Sequence, residues 1–591
     1  MGRTTTGSAG GRPTVMSRRG VVSSGHYLAS ETGIEILRRG GNAADAGAAA
    51  GFALALLKPQ ENGIAGEAPT LVYSARAGKA HAISGHGVAP AAATIERFRE
   101  MGIDMIPGDG FLPAVVPSAV ATYILLLERF GTKRLGEVLA PAIELAEGGF
   151  PMYDGLRESI ASSAERFAKE WPSSAQTFLV KGRAPESGTI WRNRDWARTM
   201  KRLVAAEARF KKRKDGLRAA YDAFYRGPIA EAIVKFSRGT PVKDASGKAH
   251  AGLLTAEDFD TYRARVEEPV SIQYGDMKVY KCSSWTQGPV LLQSLALVEG
   301  YDLGDMGHNS ADYIHTLTEC MKLSFADREF YYGDPEFVKV PFKMLLSKKY
   351  AYERRELVDA GRASMELRAG GRPAIKAVSV ADVNAEFAGG ARKRRGHGDT
   401  TKFEVIDAAG NMVSTTPSGG WLPTSPVVPG LGFPLGTRGQ MFSLVEGHPN
   451  SLEPGKRPRT TLTPSLAVTK AGASMAFGSP GGDAQDQWAL QFFLNVVEFG
   501  MSLQEAVEAP TFWTDHFPSS FYPRMADPGS LNVEERIAPE VREELASRGH
   551  IVHVFDGWSG GNTLAASFDR KTGVLAAAAT PRDEPAYAAA W

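Results

Sequence analysis

A chain of 591 residues, 43% hydrophobic, holds roughly four domains' worth of sequence at about 150 residues each, with ample apolar material for ordinary cores. That composition excludes collagenous, disordered and disulfide-scaffold classes. The 68 basic and 66 acidic side chains leave a net charge of only +2, so no global field draws the chain to nucleic acid or anionic lipid. The two cysteines, Cys282 and Cys320, give neither a disulfide framework nor a CxxC zinc signature. Their usage fits a reducing compartment, and a cytoplasmic location is expected.

From Met1 to Arg19 the chain is rich in Gly, Thr, Ser and Arg and has no apolar run to serve as a signal-peptide core. The longest apolar stretch, residues 46 to 57, is mostly alanine and glycine and falls short of the roughly 18 to 20 residues needed to span a bilayer, so no membrane partner is expected. A helix is predicted from Leu28, with Ile34 and Leu37 on one face and a stop at Gly40-Gly41. Asn42, with Asp45 three positions on, reads as the cap of a second helix whose small residues, Gly47 and Gly51 among them, admit close backbone approach. It is predicted to be a buried packing helix. Residues 123–130, 141–147 and 313–332 read as further helices. In the last, Ile314, Leu317, Met321 and Phe325 form an apolar stripe, and Cys320 beside it reads as core filling.

From Gly361 periodicity fails, and Gly, Arg and Ala accumulate up to the basic run Arg392-Lys393-Arg394-Arg395; residues 361–399 are predicted to be a flexible linker. Beyond it the pattern becomes that of strands: 402–406, a turn carrying Gly410, and 412–416. Further strands are predicted at 466–469, 474–477, 551–555, 563–568 and 574–579. A helix-rich amino part, 1–399, therefore precedes a sheet-rich carboxyl part, 400–591. The second part holds 13 basic against 20 acidic side chains, net −7, and the first is net +9, a balance that favours their association.

No HExxH, Walker loop or GxGxxG after a strand is present, and neither a metal nor a cofactor is expected. The cluster Lys211-Lys212-Arg213-Lys214 lacks interleaved aromatics and reads as a solvated helix face rather than a nucleic-acid contact. Gly557-Trp558-Ser559-Gly560-Gly561 matches GxSxG, but the nucleophile elbow runs strand-turn-helix with a later histidine. Here strand follows strand and no histidine occurs after His553, so Ser559 reads as a hairpin residue. At Gly398-Asp399-Thr400-Thr401 a hydroxyl sits where linker becomes strand. A cut before Thr400 would put a new α-amine, with a pKa of about 7.7 to 8.0, on the residue that carries the hydroxyl, making Thr400 nucleophile and base at once. The segment 478–483 joins a strand to a helix predicted over 484–499. The N–H groups of Gly481 and Gly482 there suit an oxyanion, although a tight turn with a helix cap fits the same residues.

The sequence resembles the γ-glutamyltransferases (glutathione hydrolase proenzymes) of the N-terminal-nucleophile hydrolase superfamily over about residues 20 to 585. The likeness rests on Leu28-Ala-Ser-Glu-Thr-Gly33, Gly40-Gly-Asn-Ala-Ala-Asp45, Pro90-Ala-Ala-Ala-Thr94, Gly252-Leu-Leu-Thr-Ala-Glu-Asp258, Gly307-His-Asn-Ser-Ala-Asp-Tyr313, Met321-Lys-Leu-Ser-Phe-Ala-Asp-Arg328, Lys456-Arg-Pro458 and Gly478-Ser-Pro-Gly-Gly482. It implies a four-layer αββα fold and a precursor that cleaves itself between Asp399 and Thr400. The products would be a heterodimer of two chains, with further dimerisation left open. By the same resemblance Thr400 is the nucleophile, Ser418 the hydroxyl residue that contacts it, and Gly481 and Gly482 the oxyanion hole. Thr460 and Thr461 stand where the family has a paired-serine motif lining the substrate pocket.

The family's contacts to a γ-glutamyl donor do not survive. His86 holds the place of an arginine, Gly420 that of an asparagine, and the later glutamine and aspartate fall on Arg438 and Met441. An unpaired buried ammonium would cost several kcal/mol. Arg438 instead has the shape to fork onto a carboxylate, and Gly436-Thr-Arg-Gly439 is similar to the branch that includes oxamate amidohydrolases. The resulting expectation is a self-processing threonine amidohydrolase, using water to hydrolyse a small amide with an acidic group through an acyl-enzyme. Two alternatives stand beside it: a true γ-glutamyltransferase with altered contacts, and a processed but inactive binding protein. The joint retention of Thr400, Gly481 and Gly482 speaks against the last.

Overall fold

The computed structural model describes residues 11–371 and 399–591, so the basic run at 392–395 and most of the expected linker lie outside the described residues. The first helix, Tyr27–Arg38, starts at His26, whose Nδ1 accepts from Leu28 N at 3.1 Å; the chain then turns through Gly40 at φ +79°. Asn42 and Asp45 close a capping box on Ala43–Leu57, and every residue of that helix is buried. Its small residues are used as expected: a Cβ at Gly51 would run into the Tyr123 ring, and one at Gly47 would lie 3.0 Å from Val413. The helices Ala119–Phe130, Leu135–Gly148 and Ala311–Tyr331 cover the remaining helical expectations, and Cys320 is buried in the core.

Two seven-stranded sheets, antiparallel in every pairing, face each other. One runs in the order Val15–Ser17, Val574–Ala579, Leu564–Asp569, Ala473–Gly478, Ser465–Thr469, Met277–Lys281, Val270–Tyr274. The other runs Tyr587–Ala590, Gly20–Ser24, Phe403–Asp407, Met412–Thr415, Thr70–Ser74, Lys79–Ile83, Val266–Glu267. Alternation along Phe403–Asp407 sends Ile406 to the apolar layer between the sheets, with Val21, Leu466 and Ala566, and sends Phe403 and Val405 outward. On that outer face lie Tyr27–Arg38, Ala43–Leu57 and their neighbours. Val279, Met475 and Phe477 pack the other sheet on Pro289–Val298, Ala311–Tyr331 and Gln485–Val497. The stack is a four-layer αββα sandwich.

Three sequence expectations need correction. The amino part is not merely helical, because it supplies strands to both sheets, interleaved with those of the carboxyl part. Ile551–Phe555 is a strand, but it pairs in parallel with Ser530–Glu534 in a separate three-stranded sheet. Ser559 accordingly lies in a turn between two sheets rather than in a hairpin, with its Oγ donating to Asp556 O. Finally, a 3₁₀ turn, Gly482–Ala484, precedes the helix Gln485–Val497. Among the described residues no helix is long and apolar enough to cross a membrane.

Candidate active site

Thr400 sits just before the central strand Phe403–Asp407 and bridges to Ser418, which follows the neighbouring strand Met412–Thr415. The pairing of those two strands therefore decides which hydroxyl meets Thr400, and the Oγ atoms lie 3.2 Å apart. Ser418 Oγ donates to Asp399 O at 2.9 Å and accepts from Arg438 Nη2 at 2.7 Å. With its single proton committed to Asp399, Ser418 receives the Thr400 hydroxyl proton as an acceptor. Trp421 Nε1 also donates to Asp399 O, at 2.6 Å, and to Glu61 O at 2.8 Å. The Thr400 N–H donates to Asp399 Oδ1 at 2.8 Å.

Arg438 is fully buried. Its Nε donates to Glu67 Oε2 at 3.0 Å, its Nη1 faces Met441 Sδ at 3.8 Å, and the guanidinium stands 4.8 Å over the Trp421 ring. Burial raises the Glu67 carboxyl and lowers the Arg438 guanidinium, each partly offset by the other's charge. His86 is neutral, held well below the usual imidazole range by burial and then by Arg438 and Arg457. Its Nε2 meets Thr460 Oγ1 at 3.1 Å. The Gln485 side chain, with its amide oriented to donate, reaches Thr461 O at 3.1 Å and Ser479 O at 3.3 Å.

Gly481 and Gly482 have φ of +122° and +57°. Their own neighbours are Trp488 for Gly481 and Phe521 for Gly482, while Gly478 just before them lies against the Lys402 side chain. Phe521 stands between Gly482 and Trp421, its ring 6.3 Å from that of Trp421. The structure thus places Asp399, Thr400, Ser418 and Arg438 in one hydrogen-bonded cluster, with His86 and Thr460 as a pair within the field of Arg438. No hydrogen bond from Gly481 or Gly482 to Thr400 is part of that cluster. Gly420 contributes backbone alone: at φ +64° a Cβ would lie 3.2 Å from Gly66 N, a place ill suited to a substrate-binding side chain.

Glu67 and Trp421 were not visible as site residues in the sequence. The one available signal was a tryptophan directly after two glycines.

A cavity of about 500 Å³ opens onto Asp399 and Thr400, lined also by Gln60, Glu61, Tyr153, Asn562 and Asp583. Beneath it the buried Lys58 Nζ pairs with Glu61 at 2.8 Å and Asp583 at 2.5 Å. Asp399 is open to this cavity, yet the surrounding protein pushes its carboxyl up to about 6, against the pull of the Thr400 N–H and Lys58. Among the described residues no group of three or more His, Cys, Asp and Glu is placed to hold a metal ion.

The Gamma-glutamyltranspeptidase family matches residues 29–590. The solved structure of LmbA2991HD is 43% identical with a TM-score of 0.91, covering 98% of this chain and 99% of that one. The crystal structure of cephalosporin acylase from Bacillus halodurans is 30% identical with a TM-score of 0.82, covering 100% and 99%. Oxamate amidohydrolase proenzyme of Klebsiella pneumoniae is 30% identical over 582 residues, 97% of this chain and 99% of its own length. An αββα sandwich and a family match over nearly the whole length agree: the chain belongs to the gamma-glutamyltranspeptidase family and is an enzyme of the N-terminal-nucleophile hydrolase fold.

Proposed function

We propose that the protein is a self-processing threonine amidohydrolase that hydrolyses a small amide bearing an acidic group through an acyl-enzyme on Thr400. The observation that carries this reading is the single hydrogen-bonded set linking the Thr400 hydroxyl, Ser418 and the Asp399 carbonyl. In maturation the C–Oγ bond forms as the Asp399 C–N bond breaks, and the hydroxyl proton ends on the Thr400 nitrogen. Water then splits the ester, restoring the hydroxyl and leaving Asp399 with an α-carboxylate. The freed α-amine serves as base in turnover, and the Gly481 and Gly482 N–H groups serve as oxyanion donors.

The acidic substrate is supported by Arg438. Its Nε and Nη2 are committed to Glu67 and Ser418, but Nη1 faces only a weakly accepting sulfur and is the donor left for a carboxylate. A γ-glutamyl donor is disfavoured because neutral His86 and the side-chain-free Gly420 offer no charge to pair with its α-carboxylate and ammonium.

Purified protein should run as two chains of about two-thirds and one-third of the total, and Thr400→Ala should stay whole. The same cut in Thr400→Ala would assign it to an outside protease. The matured enzyme should hydrolyse amides that carry a carboxylate without a neighbouring ammonium faster than γ-glutamyl anilides; the opposite order would restore the γ-glutamyl reading.

A further inference from the structure

The carbonyl oxygen of Asp399 has two lone pairs, and both are occupied, one by Ser418 Oγ at 2.9 Å and one by Trp421 Nε1 at 2.6 Å. This is the oxygen that becomes negative when Thr400 attacks the carbonyl carbon. We propose that the Trp421 indole N–H is a catalytic donor in maturation, stabilising with Ser418 the oxyanion that forms on the Asp399 carbonyl. The inference rests on the self-cleavage reading above and adds to it a donor used for maturation that is separate from the Gly481–Gly482 pair assigned to turnover.

Several features make Trp421 suited to this. The ring is completely buried, so its N–H has no water to compete for it. Sharing the proton with Glu61 O at 2.8 Å fixes the plane of the ring. Arg438 over the ring face, at 4.8 Å, draws electron density from the indole and strengthens the donor. The turn that delivers it is built for one conformation: Gly419 and Gly420 have φ of +75° and +64°, and a Cβ on Gly419 would run into Glu67 Oε2. In the attack the carbonyl π electrons move onto this oxygen, held by the two donors already in place. They return as the C–N bond breaks, and the hydroxyl proton is carried to the departing nitrogen. No oxidant, metal or co-reactant enters. A preplaced donor of this kind costs nothing to reorganise at the moment of reaction.

The test follows precursor made by cell-free translation as it disappears on a gel. Trp421→Phe, which keeps an aromatic ring under Arg438 but lacks the N–H, should slow cleavage on the order of 10²-fold. Cleavage of Trp421→Phe at the wild-type rate overturns the proposal. Loss of fold is read separately: Thr400→Ala/Trp421→Phe should melt within a few degrees of Thr400→Ala. If it melts far lower, 3-benzothienylalanine at position 421 decides, since it preserves the shape of tryptophan with sulfur in place of N–H. Slow cleavage by that isostere upholds the donor, and normal cleavage ends it. Failure of the parent reading looks different: Thr400→Ala would then be cut at the same bond whatever stands at 421.

Discussion

Arg438 holds a charge with no exposed surface, and its neighbours show what that charge does. Glu67 Oε2 takes its Nε, Ser418 takes Nη2, and Glu67 Oε1 has no hydrogen-bond partner. Truncating the arginine would therefore leave a buried carboxylate without a cation, a loss that typically costs about 3–5 kcal/mol. Arg438→Ala, placed in the uncleaved Thr400→Ala background so that maturation does not confuse the reading, should lose about that much stability in chemical denaturation. Adding Glu67→Gln should recover a large part, because an amide needs no counter-charge. Strict additivity of the two losses would show that Arg438 matters for packing rather than for the pair. The same geometry means that Arg438→Ala is a poor probe of substrate binding, since it disturbs Ser418 before any substrate arrives.

The first helix begins on an imidazole acting as an acceptor, and this ties the helix to pH. His26 is buried, and burial followed by the charge of Lys58 lowers its pKa to about 3. In the folded protein it stays neutral and caps Leu28 N; in the unfolded chain it protonates below about 6.5. The unfolded state thus binds the extra proton between about pH 6.5 and 3, and the stability that neutral His26 supports is complete above that window and declines as pH falls through it. At pH 5 the loss is about 2 kcal/mol, at about 1.36 kcal/mol per pH unit. His26→Asn, a good cap without a titrating group, should show a drop in stability between pH 7.5 and 5 that is smaller by about this amount. An identical drop in both proteins would remove His26 from the account. Signals of this local kind are where the sequence was most legible: Asn42 with Asp45, Gly40, and the stripe of Ile314, Leu317, Met321 and Phe325 each encode structure within a turn or two. The strands Gly20–Ser24 and Thr70–Ser74 went unread because their apolar residues run consecutively rather than alternating with polar ones, and the central strands they pair with, Phe403–Asp407 and Met412–Thr415, lie hundreds of residues away. The residues at 399, 400 and 418, which the fold brings together, were singled out by the chemistry of a hydroxyl after a linker and by family likeness. Trp421 and Glu67 join them through contacts that only the folded turn creates.

Each sheet is built from strands on both sides of the 399/400 bond. Gly20–Ser24 lies between Phe403–Asp407 and the terminal strand Tyr587–Ala590, and Val15–Ser17 closes the edge of the other sheet on Val574–Ala579. Cutting that bond should leave the assembly intact, because the pairings and the apolar layers between them do not include it. In native mass spectrometry the matured protein should keep the mass of the precursor apart from one added water, with the chains separating only under denaturant; separation in native buffer would contradict the interleaved pairing. The bond nevertheless matters for how the pairing is first found. While the chain is continuous, Val22 and Val405 search for each other at the effective concentration set by a tether, whereas after the cut they belong to separate molecules that meet at whatever concentration the solution supplies. With cleavage as proposed above, the native arrangement is assembled once, by the precursor. Thereafter it persists through the slowness of its unfolding rather than through ready return, so the age of a mature molecule is counted against an unfolding rate rather than an equilibrium.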